Sequence, residues 1–309
     1  MSSLAGTLDD IIRQVALQET TSDIVVKREV IREFIYRGAA ILTDAHIFAP
    51  EVSYDGLDVQ IEFPSDIEVD YPVAEGAVGK EGRITWTPFN LVLEKAEGKF
   101  KITDEAVIRQ KQKMQYQTGV RKLAEAFALK KNYNILNTTF AGAGETSATG
   151  GAWDTNTDYV VSDINNAINK ILLADAAKAT MQDYRKMVVC LPIKAYNICS
   201  ELTTINNIKT SFRDYMQTQY GLKIVPFKDL STATGIGLGV DMLVVLGGRD
   251  TVRHGVYRGG AVPLTEEKRD GAAMKHIVRQ YFATKVVPDS AAVATSSRVC
   301  TITAILGTA

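Results

Sequence analysis

The chain has 309 residues, 46% of them hydrophobic and 23% charged, with a mean hydropathy near zero. Thirty-five Lys and Arg against 36 Asp and Glu leave a net charge of -1, which speaks against a basic field for wrapping nucleic acid and against an acidic, salt-adapted surface. Three widely spaced cysteines exclude a disulfide framework and a zinc ribbon and fit a reducing compartment.

The first residues, MSSLAGTLDDIIRQ, carry two acids and lack the apolar run of a signal peptide. Residues 1–26 read as an arm: a weak amphipathic start (Leu8, Ile11, Ile12, Val15), then a polar break, QETTSD. Over 26–42 the spacing predicts a short helix. Val30, Ile31, Phe34, Ile35 and Leu42 form its apolar stripe, and Lys27, Arg28, Arg32 and Arg37 its basic face. That face suits nucleic acid, a neighbouring subunit, or plain solvation.

From Leu57 to Ile102 the chain reads as extended. LDVQIEFP, DIEVDYPV and ITWTPFNLVLEKAEGKFKI alternate apolar with polar residues and are rich in β-branched and aromatic ones. The tip between them, Glu75 to Arg83, combines three glycines with Lys80, Glu81 and Arg83, the composition of an exposed loop. Pro64, Pro72 and Pro88 confine these strands to edges. A lone hairpin is marginal unless something covers it, so this stretch points to a chain that completes its core on copies of itself.

Thr103 is a candidate N-cap, with Asp104 and Glu105 in a first turn that favours acids. The helix it opens is predicted to reach about Leu136, a strut of about 45 Å at 1.5 Å per residue. Tyr116, Val120, Leu123 and Phe127 share one face, and Lys111, Lys113, Arg121, Lys122, Lys130 and Lys131 lie around the others. Residues 141–158, AGAGETSATGGAWDTNTD, lack periodicity and predict a loop or segment boundary.

A second region follows. Asp158 is a candidate cap for a helix bearing Val161, Ile164, Ile168, Ile171 and Leu172. Then come the strand KMVVCLP, a helix at KAYNICSEL, a polar helical stretch near Phe212–Gln219, and the strands GLKIVPF and MLVVLGG. Helices alternating with short, all-apolar strands predict an α/β layer with both sheet faces covered. The last segment turns extended again, with a turn at Val286–Ser290 between two strands. It is expected to pair with the strand that enters the long helix.

Residues that would carry chemistry do not converge. Gly235, Gly237 and Gly239 follow a polar loop and lead into a strand, whereas a dinucleotide loop follows a strand and opens a helix. AGAGETSATGG lacks the Lys-Ser/Thr of a P-loop. His46, His254 and His276 are scattered and read as surface or strand residues, without metal-ligand spacing. Cys190 lies in an apolar run and reads as a buried small hydrophobe. No catalytic, cofactor or metal residue is nominated.

In this order the chain resembles the major capsid proteins of tailed double-stranded DNA viruses, the Hong Kong 97 phage-like capsid fold. IEVDYPVAEGAVGKEG followed by ITWTPFNLVLEKAEGKFKITDEAVI is similar to the family's E-loop and the strand entering its spine helix. GLKIVPFKDL and MLVVLGGRDTVRHGVYRGG are similar to the axial part of its A-domain, and IVRQYFATKVVPDSAAVATSS to its closing P-domain hairpin. The resemblance implies an α+β subunit in five parts. They are an N-terminal arm and short basic helix (1–50), an E-loop hairpin (51–88), the P-domain strand and spine helix (89–140), an α/β A-domain (141–261), and a P-domain closing hairpin and C-terminal strand (262–309).

It also implies a structural, non-enzymatic protein that assembles in the host cytoplasm, through pentamers and hexamers, into an icosahedral virion shell around double-stranded DNA. The implied partners are copies of itself, portal and decoration proteins, and a separate scaffolding protein or none, since no fused scaffold helix precedes the arm. The arm is expected to be retained, and no membrane or cofactor is implied. Lys80, Glu81, Arg83, Ile84, Trp86 and Phe89 on the E-loop, with Gly235, Gly237 and Gly239 near the capsomer axis, are the expected assembly contacts. Lys27, Arg28, Arg32 and Arg37 are expected to face DNA by charge alone. Lys80 sits where some relatives cross-link, but no acceptor Asn matches, so it reads as a solvated loop lysine. Encapsulin-type compartments share the pattern. From another class, a cytosolic α/β enzyme would show a deep pocket with perturbed ionisable groups.

Overall fold

Two five-stranded sheets lean on one long helix to make an α+β subunit. The computed structural model describes residues 28–64, 86–105, 112–174, 179, 181–205, 208–227, 241–258, 265–290 and 293–307. Helix α1 spans Arg28–Ile41, and a short 3-10 turn, Asp44–Ile47, leads to strand β1, Glu51–Tyr54. β2 (Asp58–Pro64) and β3 (Trp86–Val92) pair antiparallel as a two-stranded ribbon. The predicted tip of that hairpin lies outside the described residues.

β4 (Glu94–Thr103) runs to the long helix α2, Gln112–Ala141. The helix outlasts its expected end at Leu136 because Ile135, Leu136 and Thr139 are still buried. β4 lies antiparallel to the long strand β13 (Ala273–Val286) over its whole length, from Thr103↔Ala273 to Glu94↔Phe282. The expected return of the chain's last segment onto the strand before the helix therefore holds. The other edge of β13 carries β12 (Thr265–Arg269) and then β11 (Val252–Tyr257), and β1 lies parallel to β11.

The second sheet has the order β5 (Ala143–Ser147), β14 (Ser296–Ile302), β10 (Met242–Leu246), β6 (Met187–Pro192), β9 (Lys223–Phe227). Alternate residues of its central strands enter different cores, which is why these strands are apolar throughout. Met187, Val189, Leu191, Met242, Val244 and Ile302 pack under α3 (Tyr159–Leu173). Val188, Cys190, Leu243, Val245 and Val299 face the other way, against Ile135 and Leu136 of α2 and against Ala45 and Phe48. α4 (Ile193–Ser200), the short ribbon β7–β8 (Leu202–Ile205, Ile208–Ser211) and α5 (Phe212–Tyr220) complete this end. α5 begins with a working cap, the Ser211 hydroxyl accepting from the Asp214 N–H.

Three local expectations are corrected. The strands on either side of Val286–Ser290 do not form a hairpin: β13 belongs to the first sheet and β14 to the second, so the chain crosses between sheets there. Residues 141–158 contain β5, a strand without strand-forming composition that pairs because β14 offers it a free edge. Asp158 stands at the N-cap of α3 with αR backbone and makes no capping bond. The acid that matters is Asp163. Its buried carboxylate accepts from the Trp153 indole N–H at 2.9 Å, the Gly150 N–H at 2.9 Å and the Thr149 hydroxyl at 3.0 Å, which pins the glycine-rich turn to α3.

α2 approaches β4 closely because two glycines face across the contact. A Cβ at Gly119 would lie 2.5 Å from Phe100, and one at Gly98 would overlap Leu123. Gly98→Ala should therefore lower stability by about 1–3 kcal/mol through overpacking. Gly56→Ala, whose Cβ would meet only the Asp58 carbonyl at 3.6 Å, should be near neutral. The urea midpoints of the two variants check this; equal midpoints would refute the close contact.

Candidate functional site

The alternation of β3 divides its side chains cleanly. Phe89 and Leu91 point inward and are buried, whereas Trp86 and Val92 are 58% and 59% exposed. Residues two apart share a face of a strand, so Trp86, Pro88, Asn90 and Val92 form the outward row. Trp86 is left open to solvent on this row. Phe89 is not: its ring is covered by its own subunit, with the Lys285 ammonium 4.7 Å from the ring centre, so the expectation that it meets a neighbour is corrected. Lys80, Glu81, Arg83, Ile84, Gly235, Gly237, Gly239 and Lys27 lie outside the described residues, as do the side chains of Arg28 and Arg32. Arg37 is exposed on α1.

The strongest electrostatic feature is one the sequence reading assigned to solvent. Lys131 is fully buried, and its ammonium donates to Glu51 Oε2 at 2.9 Å. Arg258 binds the other oxygen, Oε1, at 3.1 Å. The helical spacing carries the missed signal: Leu123, Phe127, Lys131 and Ile135 succeed one another at four residues, so Lys131 sits on the apolar stripe. A lone buried ammonium is expensive, and a partner supplied by another element is then required. Burial pushes the Glu51 carboxyl up, but Lys131 and Arg258 outweigh it and hold it at about 2. Burial also pulls Lys131 below the usual lysine range, with Glu51 opposing.

Two histidines read as unrelated surface or strand residues join this junction. Glu51 pairs in register with His254 across β1 and β11, and the rings of His46 and His254 are 5.5 Å apart. One ligand atom from each of His46, Glu51 and His254 falls within 4.8 Å of the others. The spacing alone would admit a metal ion, but the Lys131 ammonium already sits on the same carboxylate oxygen. The trio is an ion-pair junction with a resident cation. The three cysteines are buried, and burial pushes Cys199 and Cys300 up to about 12, which leaves them as inert hydrophobes.

A groove of about 630 Å³ lies between β4 and α2, lined by Ala96, Leu123, Phe127 and Phe282. It is apolar and open, and Glu97 at its rim is already held by Lys95, Lys99 and Arg279.

This arrangement, sheets sharing one long helix with a projecting ribbon, is an HK97-like capsid fold. The chain belongs to the phage capsid protein family, which it matches over residues 88–296; it is a structural capsid protein of the virion, not an enzyme. Solved structures agree in fold. A virus-like particle from Pyrococcus furiosus aligns with a TM-score of 0.60 at 11% identity, covering 89% of this chain and 98% of that one. A phage-related protein from Bordetella bronchiseptica RB50 gives 0.56 at 13%, with coverages of 88% and 96%. The capsid of Myoviridae phage XM1 gives 0.52 at 14%, with 80% and 85%. No curated protein matches the chain.

Removing one member of the junction leaves the other charged and buried. Lys131→Met should cost about 3–5 kcal/mol, and Glu51→Leu together with Lys131→Met should recover most of that loss. The pH dependence follows from the depressed carboxyl. Its contribution, about 3 kcal/mol, is complete above the unfolded value of 4.5 and is lost as pH falls towards 2. Urea unfolding of the double-mutant cycle across that window tests both statements.

Proposed function

We propose that the chain is the major capsid protein of a tailed virus and assembles through pentamers and hexamers into an icosahedral shell enclosing double-stranded DNA. The observation that carries this reading is the two-faced ribbon β2–β3. Its inner row packs on the subunit's own core, while its outer row ends in an exposed tryptophan, a residue type favoured at the centres of interfaces. In this reading the ribbon and the residues between its strands are the E-loop, spread over an adjacent subunit. Ile84 and Trp86 would be apolar contacts of that loop, with Lys80, Glu81 and Arg83 at the rim.

The remaining parts take the roles that the family resemblance implies. Residues 1–50 serve as the arm, 89–140 and 262–309 as the P-domain, and 141–261 as the A-domain, except that β11 lies in the sheet of β4 and β13, and β14 in the sheet of β5, β10, β6 and β9. Gly235, Gly237 and Gly239 approach the capsomer axis, where the absence of a Cβ lets several backbones converge. Lys27, Arg28, Arg32 and Arg37 face the packaged DNA through charge without reading bases. Portal and decoration proteins join the shell, and assembly takes place in the host cytoplasm. A second reading, a protein compartment of the same fold, is favoured by the likeness to the Pyrococcus furiosus virus-like particle.

Expression of the chain alone, followed by negative-stain microscopy and sedimentation, tests the proposal. Closed shells or tubes are expected, and uniform small particles with or without a scaffold would overturn it. Trp86→Asp should raise the concentration needed for assembly at least tenfold, about 1.4 kcal/mol per contact, while leaving subunit stability unchanged because the side chain is exposed. Phe89→Ala should act in the opposite sense, lowering subunit stability by about 3 kcal/mol or more. DNA in purified particles supports the viral reading; a protein cargo supports the compartment.

A further inference from the structure

We propose that His46, Glu51, His254 and Lys131 form a proton-operated latch that fastens the segment Asp44–Tyr54 to α2 and β11 at neutral pH and releases it on mild acidification.

The geometry sets out the proton positions. His46 makes a backbone hydrogen bond to Ala40 through one ring nitrogen; the other, Nε2, is buried without a hydrogen-bond partner, 3.8 Å from Glu51 Oε2. His254 engages Thr284 Oγ1 through Nδ1 at 2.9 Å, and its Nε2 is likewise buried and unpartnered. The neutral His46 ring that donates to a carbonyl carries a lone pair at Nε2. That lone pair faces a carboxylate oxygen and has nothing to accept. One proton taken up there turns Nε2 into a donor aimed at Glu51 Oε2, the oxygen Lys131 now holds.

Charge decides the outcome. The groups facing the two imidazoles are Lys131 from α2, Glu51 from β1, and each other; Thr284 from β13 is neutral. At neutral pH the Glu51 carboxylate is already shared by buried Lys131 and exposed Arg258. Each histidine proton adds a positive charge beside the buried Lys131 ammonium. Burial first and Lys131 second hold both rings below the usual histidine range, His254 at about 3.

The sign follows. Above about 6.5 neither the closed nor the released state is protonated, and the depression has no effect. Below it the opened junction, His254 on β11 included, takes up protons that the closed junction refuses, so closure weakens progressively down to the folded value. At pH 5, His254 alone multiplies the opening equilibrium by about thirtyfold. Release is local because His46 and Glu51 share one short segment, which also meets α2 through the Ala45 N–H to Asn132 Oδ1 bond at 3.0 Å and through Ala45 and Phe48 packed against Ile135 and Leu136. The apolar β6–β10 pair in the other sheet has no such group.

Amide hydrogen exchange of the full chain, corrected for intrinsic rates and read by mass spectrometry at about pH 7.5 and 5, tests the latch. Protection across 44–54 should fall about thirtyfold, with β6 and β10 unchanged. His254→Asn and His46→Asn should each shrink the effect, and His276→Gln, altering the third histidine where it stacks on Phe100 at 4.8 Å, should leave it intact. Unchanged protection in the wild type, or an equal loss in both sheets, overturns the proposal even if the His254 variant does not fold. The inference concerns the subunit alone and stands or falls independently of shell formation.

Discussion

The fold depends on one helix serving two cores. The N-terminal half of α2 contributes Val120, Leu123 and Phe127 to the core under the first sheet, and its C-terminal half contributes Ile135 and Leu136 to the core under the second. A helix that closes only one domain has no reason to run for 30 residues. The glycines at positions 98 and 119 let it lie against β4, which fixes one sheet to the helix, and Val188, Leu243 and Val299 fix the other. Neither sheet can shift without losing its hold on the same strut.

Lys131 stands where the two cores meet. A buried ion pair adds little net stability, but it penalises every arrangement in which either partner is left unpaired. Apolar side chains at this point would pack in several registers. An ammonium that must find Glu51 permits one, and with it the placement of β1 beside β11. The junction thus acts on alignment more than on total stability. The same low dielectric that makes the pair demanding keeps the neighbouring imidazoles neutral.

Much of the architecture was legible because it rests on local periodicity. The stripe of α2 was readable from three- and four-residue spacings, and the second sheet's strands from unbroken apolar runs such as MVVCLP, which only a doubly covered strand tolerates. What escaped depends on distant pairing. β5 has the composition of a loop and is a strand only because β14 lies beside it. Trp153 sits in a glycine-rich stretch, and the carboxylate that buries it, Asp163, lies on the next helix. His46 and His254 are 208 positions apart and meet through the β1–β11 pairing. Lys131 was misread for a different reason: it was grouped with Lys130 by charge, although its spacing from Phe127 and Ile135 placed it inside.

The alternation of Leu57 to Ile102 marks the ribbon β2–β3 as extended, and its two rows separate two kinds of residue that composition lumps together. Trp86 and Phe89 are both large aromatics on the same strand, three residues apart. An odd separation puts them on opposite faces, so the pleat assigns Phe89 to its own core and Trp86 to the outside. A ribbon anchored by its inner row holds its outer row in place, and side chains held in place lose little conformational entropy on any later contact. The strand's two-residue period therefore lets one short element finish the subunit on one face and remain unfinished on the other.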